Sequence, residues 1–120
     1  MENYYEKLVG LYEETKAAYD KLNGLQSALD RQVSRIYHDI EKSEFDLEKG
    51  NEYALRLKET LQNRRVVKDE LKKLAPVYRM LRDNVSWVEE QYTKVVAKSY
   101  ELKASLNVTK TINGVLSDIG

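Results

Sequence analysis

Val67 to Leu106 reads VKDELKKLAPVYRMLRDNVSWVEEQYTKVVAKSYELKASL. Alternate steps of four and three from Val67 meet Leu71, Leu74, Tyr78, Leu81, Val85, Val88, Tyr92, Val95, Ser99, Leu102 and Leu106, and only Ser99 breaks the apolar or aromatic character. This spacing is the seam of a left-handed coiled coil or helical bundle. A second stripe precedes it: Tyr5, Leu8, Tyr12, Thr15, Tyr19, Leu22, Gln26, Leu29, Val33, Ile36, Ile40, Ser43 and Leu47. No comparable period-two alternation exists, so the fold class is all-α.

Between the stripes lies Lys49-Gly50-Asn51. Glycine accepts the left-handed conformation that closes a helix, so a tight turn is expected near 49–51. The first helix then covers roughly residues 3–48, on the order of 70 Å at 1.5 Å per residue. The second arm runs from near Glu52 to about Asn107, making a long antiparallel helical hairpin over 1–107. Pro76 interrupts the second arm chemically, but the seam keeps its phase through Leu74, Tyr78 and Leu81, which predicts a kink near 76 in one helix. The alternative is a three-helix bundle with Pro76 as a true break. Residues 108–120 carry Val108, Ile112, Val115, Leu116 and Ile119 at helical spacing, which suggests a short docked C-terminal segment.

A two-helix hairpin leaves much of each stripe in water. Helix stability comes mainly from burying such a stripe. The hairpin is therefore expected to complete a coiled-coil or four-helix-type bundle by homo-oligomerisation, as a dimer or tetramer.

Composition narrows the function. The chain has 120 residues with 20 basic and 20 acidic side chains, no cysteine and one histidine. No disulfide framework, thiolate zinc site or thiol nucleophile is possible, and a metal site built from several histidines is excluded. Zero net charge argues against a general nucleic-acid coat. No apolar run reaches membrane-spanning length, and Met1 to Leu11 lacks a signal-like core, so a cytoplasmic protein is expected. No phosphate-binding glycine loop, nucleophile elbow or zinc helix appears, so no catalytic or metal-binding residue and no cofactor is assigned.

The charge balance hides an asymmetry. Residues 1–60 hold nine bases and thirteen acids; residues 61–120 hold eleven bases and seven acids. Asp39 to Glu48 is an acidic block, and Arg64 to Arg82 a basic one. Such blocks serve as complementary helix faces or as an anion-binding surface. With the turn at Gly50, Arg64 falls on the seam roughly opposite Ile36, where a guanidinium must be paired, bound to an anion or snorkelled outward. His38 lies off the seam with Glu41 on the same face. Nine tyrosines are many for a dry seam. They suit bundle edges, or a pocket where a flat ring stacks and its hydroxyl finds a partner. Trp87 is read as an interface anchor.

Three stretches carry a family resemblance. They are Tyr37-His38-Asp39-Ile40-Glu41, then Asn63-Arg64-Arg65-Val66-Val67-Lys68-Asp69-Glu70-Leu71, then Leu74-Ala75-Pro76-Val77-Tyr78. With the Gly50 turn, Tyr53 and Leu57 between them, the segment resembles a family of short helical accessory proteins of phages and prophages of Gram-positive bacteria. The resemblance implies a small phage accessory protein in a bacterial cytoplasm; together with the charge placement it suggests a non-enzymatic oligomer that sequesters a nucleotide immune signal of cyclic nucleotide or ADP-ribose type. Phosphates would then meet Arg64, Arg65 and Lys68, a base would stack on Tyr37, Tyr53 or Tyr78, and His38 would bond either part. A helical adaptor or inhibitor of a host or phage protein, and a structural coiled coil, are the alternatives.

Overall fold

The structure, a computed structural model, describes Met1 to Ile119. Three helices follow one another: α1 (Tyr4–Lys42), α2 (Leu47–Ser105) and α3 (Ile112–Ile119), with no strand among the described residues.

Each helix starts at a side-chain cap. Asn3 Oδ1 accepts the Glu6 N–H at 3.1 Å, Asp46 Oδ1 accepts the Lys49 N–H at 2.9 Å, and Thr111 Oγ1 accepts the Gly114 N–H at 3.2 Å. Each bond satisfies one of the four orphan donors at a helix start. At the far end of α2, Asn107 adopts φ 53°. There the Val108 N–H reaches the Lys103 carbonyl at 2.8 Å and the Asn107 N–H reaches Ala104 at 3.3 Å. This is a Schellman closure with asparagine in the place glycine often takes.

The turn differs from its expected position. It occupies residues 43–46, and Lys49-Gly50-Asn51 lies in the first turns of α2. Asp46 decides this, because it caps α2 before the chain reaches Gly50. No glycine among the described residues has a positive φ. Gly50 serves by lacking a side chain: a Cβ there would lie 3.2 Å from two atoms of the Phe45 ring. Phe45 stands just before the cap and Gly50 at the fourth helical position, the pair of sites that a hydrophobic staple joins. The Phe45 ring also meets Tyr53 edge-on, with centroids 5.5 Å apart. The first helix accordingly ends at Lys42, short of 48, and Leu47, expected on the first stripe, is 92% exposed. α2 runs through Pro76 without a break, which removes the three-helix alternative.

The chain forms two compact units. In the unit Glu14–Arg79, successive partners along α2 descend from the turn down α1: Tyr53 with Ser43 of the turn, Arg56 with Asp39, Arg64 with Asp30, and Tyr78 with Tyr19. The two segments are therefore antiparallel. Ile36 is fully buried, and Tyr53, Thr60, Leu71 and Tyr78 are buried beside Thr15. Thr60 satisfies its hydroxyl on the Arg56 carbonyl at 2.9 Å. These positions are the two stripes, the second extended back through Thr60 and Tyr53.

The other unit joins Met1–Glu13 to the chain from Met80 onward. Tyr5 stacks on Tyr92 with centroids 4.2 Å apart and planes 15° from parallel, and Asn3 Nδ2 donates to the Tyr92 hydroxyl at 3.0 Å. Leu81 is buried here. Past Tyr92 the seam positions Val95, Leu102 and Leu106 are 64%, 61% and 64% exposed. Val115 is the half-buried residue of α3 among those described.

Candidate functional site: a basic stripe on α2

Arg65, Lys68, Lys72 and Arg79 recur at spacings of three, four and seven along α2, so they share one side of the helix. Two hollows open along this stripe in the unit Glu14–Arg79. The first, about 720 Å³, is walled by α2 alone and includes Leu57, Leu61, Arg64, Arg65, Lys68 and Lys72. The second, about 580 Å³, lies between the helices. There α1 supplies Tyr19, Asn23 and Gln26, and α2 supplies Lys68, Lys72, Pro76 and Arg79 among others. Lys68 and Lys72 line both.

The charges nearby divide into engaged and unengaged. Arg64 bonds Asp30 at 2.5 Å, with side chains 35% and 46% exposed. Arg56 reaches Asp39 at 3.9 Å and sits 5.8 Å from the Tyr53 ring centroid. Lys73 contacts Asp69 at 2.9 Å and Glu70 at 3.6 Å. Its hydrogen bond to Asp69, then the charges of Asp69 and Glu70, hold its ammonium pKa above the usual value. Arg65, Lys68, Lys72 and Arg79 make no ion pair among the described residues.

The second hollow offers other groups. Asn23 and Gln26 bring amide donors and acceptors, and Gln26 is one of the polar interruptions of the first stripe. Pro76 carries no N–H, so the Lys72 carbonyl loses its helical donor and is left for another. Cations, amides, an acceptor and the Tyr19 ring suit a ligand with anionic groups and a flat polar ring. Nothing here is a nucleophile paired with a base. Among the described residues, no group of three or more acidic or histidine side chains could hold a metal ion, and no helix is long and apolar enough to cross a membrane.

The residues expected at the site separate. Arg64, Arg65 and Lys68 line the first hollow. Arg64 is already held by Asp30, further from the turn than the Ile36 expected opposite it, because the turn falls before Gly50. Tyr53 and Tyr78, expected as stacking platforms, present little ring surface to solvent. Tyr53 is 7% exposed, with its hydroxyl on Ser43 at 3.3 Å, and Tyr78 is 9% exposed and stacked on Tyr19 at 4.6 Å. Tyr37 and His38 are exposed on α1 and line neither hollow. Lys72, Arg79, Asn23, Gln26 and Tyr19 join the site instead. Heptad spacing from Arg65 to Lys72 to Arg79 was the signal in the sequence for the two cations; only the pairing register shows which α1 residues face them.

Comparison with known protein families, curated proteins and solved structures finds no match to this chain.

Proposed function

We propose that this chain is a non-catalytic helical binding protein that self-associates and captures an anionic nucleotide on the basic stripe of α2. The observation that carries the proposal is the stripe of four cations without ion-pair partners beside two hollows, next to Arg56, Arg64 and Lys73, whose charges are engaged. Unpaired cations on one face focus potential on an incoming anion. Lys68 and Lys72 are positioned for phosphates, with Arg65 and Arg79 on either side along the helix. The Asn23 and Gln26 amides and the Lys72 carbonyl offer complements to a base edge. This replaces Tyr53 and Tyr78 as the base-recognising groups and leaves Tyr37 and His38 without a role in the site. The resemblance to phage accessory proteins supplies the biological sense: sequestration of a nucleotide signal of cyclic nucleotide or ADP-ribose type, in the cytoplasm of a bacterial host.

Calorimetric titration with cyclic dinucleotides and with ADP-ribose derivatives tests this. The proposal predicts heat with at least one of them, and a marked loss in the Lys68→Gln/Lys72→Gln variant. Absence of heat with every ligand would refute it.

A protein-binding role is the alternative, favoured by Trp87 and Met80. These are 64% and 54% exposed and lie one heptad apart on α2. Large apolar anchors of this kind concentrate binding energy at protein interfaces.

A further inference from the structure

The two hollows of the unit Glu14–Arg79 differ in character. No acidic side chain lines the second among the described residues, and α1 brings it the amides of Asn23 and Gln26. The first is the larger, and its end toward the turn is apolar, formed by Ala54, Leu57 and Leu61. Leu57, Leu61, Arg65, Lys68 and Lys72 follow at steps of three and four, so one row on α2 passes from apolar to basic. Leu61 is 39% exposed and lies one turn from Arg65, whose guanidinium makes no ion pair among the described residues. Gln62 adds an amide to the same wall. Apolar side chains, a guanidinium plane and an amide together suit a flat ring with a polar edge, since guanidinium stacks on aromatic faces.

The charge between the hollows favours anions. Lys68 is half-buried, whereas Arg65, Lys72 and Arg79 are exposed. Lys58 is a further cation of the first hollow without an ion pair among the described residues. The acid lining that hollow, Asp69, is engaged by Lys73 at 2.9 Å. Lys68 and Lys72 line both hollows and stand about 6 Å apart along the helix axis. The pairs Arg64–Asp30 and Tyr78–Tyr19 place Gln26 and Asn23 level with roughly residues 69–73 of α2. Leu61 and Arg65 then lie on the order of 12 Å nearer the turn, at 1.5 Å per residue. A mononucleotide whose phosphate rests on Lys68 and Lys72 fills one hollow and leaves the other open.

We propose that the ligand is a dinucleotide whose two nucleosides are joined through a pyrophosphate. The phosphates rest on Lys68 and Lys72. One base takes the Asn23 and Gln26 amides in the second hollow, and the other lies on Leu57 and Leu61 beside Arg65 in the first. This rests on the nucleotide reading of the stripe and names its ligand class, with a second base where ADP-ribose has none.

Calorimetry on the full chain compares diadenosine diphosphate with ADP, and diguanosine diphosphate with GDP. Each pair differs by one nucleoside. At least one dinucleotide should bind roughly tenfold tighter than its one-base counterpart, the order of one stacked base. Leu61→Ser removes apolar surface, and Arg65→Lys keeps the charge but loses the plane. Each should lower the dinucleotide to the affinity of its counterpart and leave the counterpart unchanged, which also shows that the variants fold. Equal affinity within both pairs, or equal losses for both ligands in Leu61→Ser, would overturn this inference and leave the nucleotide reading standing. Heat from cyclic dinucleotides or ADP-ribose with none from these four ligands would do the same. No heat from any of them would refute the nucleotide reading and this inference with it.

Discussion

Replacing Gly50 by alanine puts the position of the turn on a measurable scale. Alanine is favoured over glycine in a helix interior by about 0.8–1.0 kcal/mol. At Gly10 and Gly24 an added Cβ meets nothing within 4 Å, so Gly10→Ala and Gly24→Ala should each stabilise by roughly that amount. At Gly50 the same methyl lies 3.2 Å from the Phe45 ring, so the ring must give by a few tenths of an ångström. Phe45 is 45% exposed and can move, but doing so loosens its edge contact with Tyr53, and such a contact is worth about 0.5–1.5 kcal/mol. Gain and loss nearly cancel, and Gly50→Ala should be neutral within about 0.5 kcal/mol. Phe45→Ala removes the obstacle, and in that background Gly50→Ala should recover the gain of about 0.8–1.0 kcal/mol. Urea denaturation followed by ellipticity gives all four corners of the cycle. A left-handed Gly50 would instead make alanine costly by about 1–2 kcal/mol whether or not Phe45 is present. That result would refute the capped turn at 43–46.

Other expectations follow from the seam. Ile36→Ala removes the one fully buried large side chain among the described residues and should cost about 2–3 kcal/mol in urea denaturation, the lower part of the usual range because a two-helix seam can close over the gap. Tyr37→Ala, one residue along on the exposed side, should stay within about 0.5 kcal/mol. Asp30→Asn strands Arg64 in a half-exposed setting and should cost about 0.5–1 kcal/mol, less at 1 M salt, where surface pairs are screened. Tyr5 ionises above the ordinary 10.0, first because burial disfavours the phenolate and then because of the charges of Glu89 and Tyr92. The unfolded phenol therefore loses its proton first, and the stabilisation is intact below pH 10 and disappears as pH rises through the folded Tyr5 pKa. Ultraviolet titration of Tyr5→Phe should lose one phenol from the late end of the curve.

The two stripes were legible because each buried or half-buried position contributes at its own helical period. Ser43 and Thr60, polar on the pattern, fit because their hydroxyls find partners. The turn was misplaced because Gly50 offers two properties, a permissive φ and a missing side chain, and the chain uses the second. Asp46, a strong N-cap residue type just ahead of Leu47, was the decisive signal, since a cap fixes a helix start more directly than a glycine fixes an end. At the site, the cations could be read from spacing, but which of them are free could not. Asp30 takes Arg64, and Asp69 takes Lys73, through a register and rotamers that composition does not carry. The tyrosines were read as ring platforms or bundle edges, and in the fold four of them stack on one another as Tyr5–Tyr92 and Tyr19–Tyr78.

A crystal structure with the tightest-binding nucleotide from the calorimetric panel tests the central claim most directly. The account predicts phosphate oxygens within hydrogen-bonding distance of Lys68 and Lys72 and a base edge against Asn23 or Gln26, with Arg64 still on Asp30. Ligand density at Tyr37 and His38, with the α2 stripe empty, would contradict it.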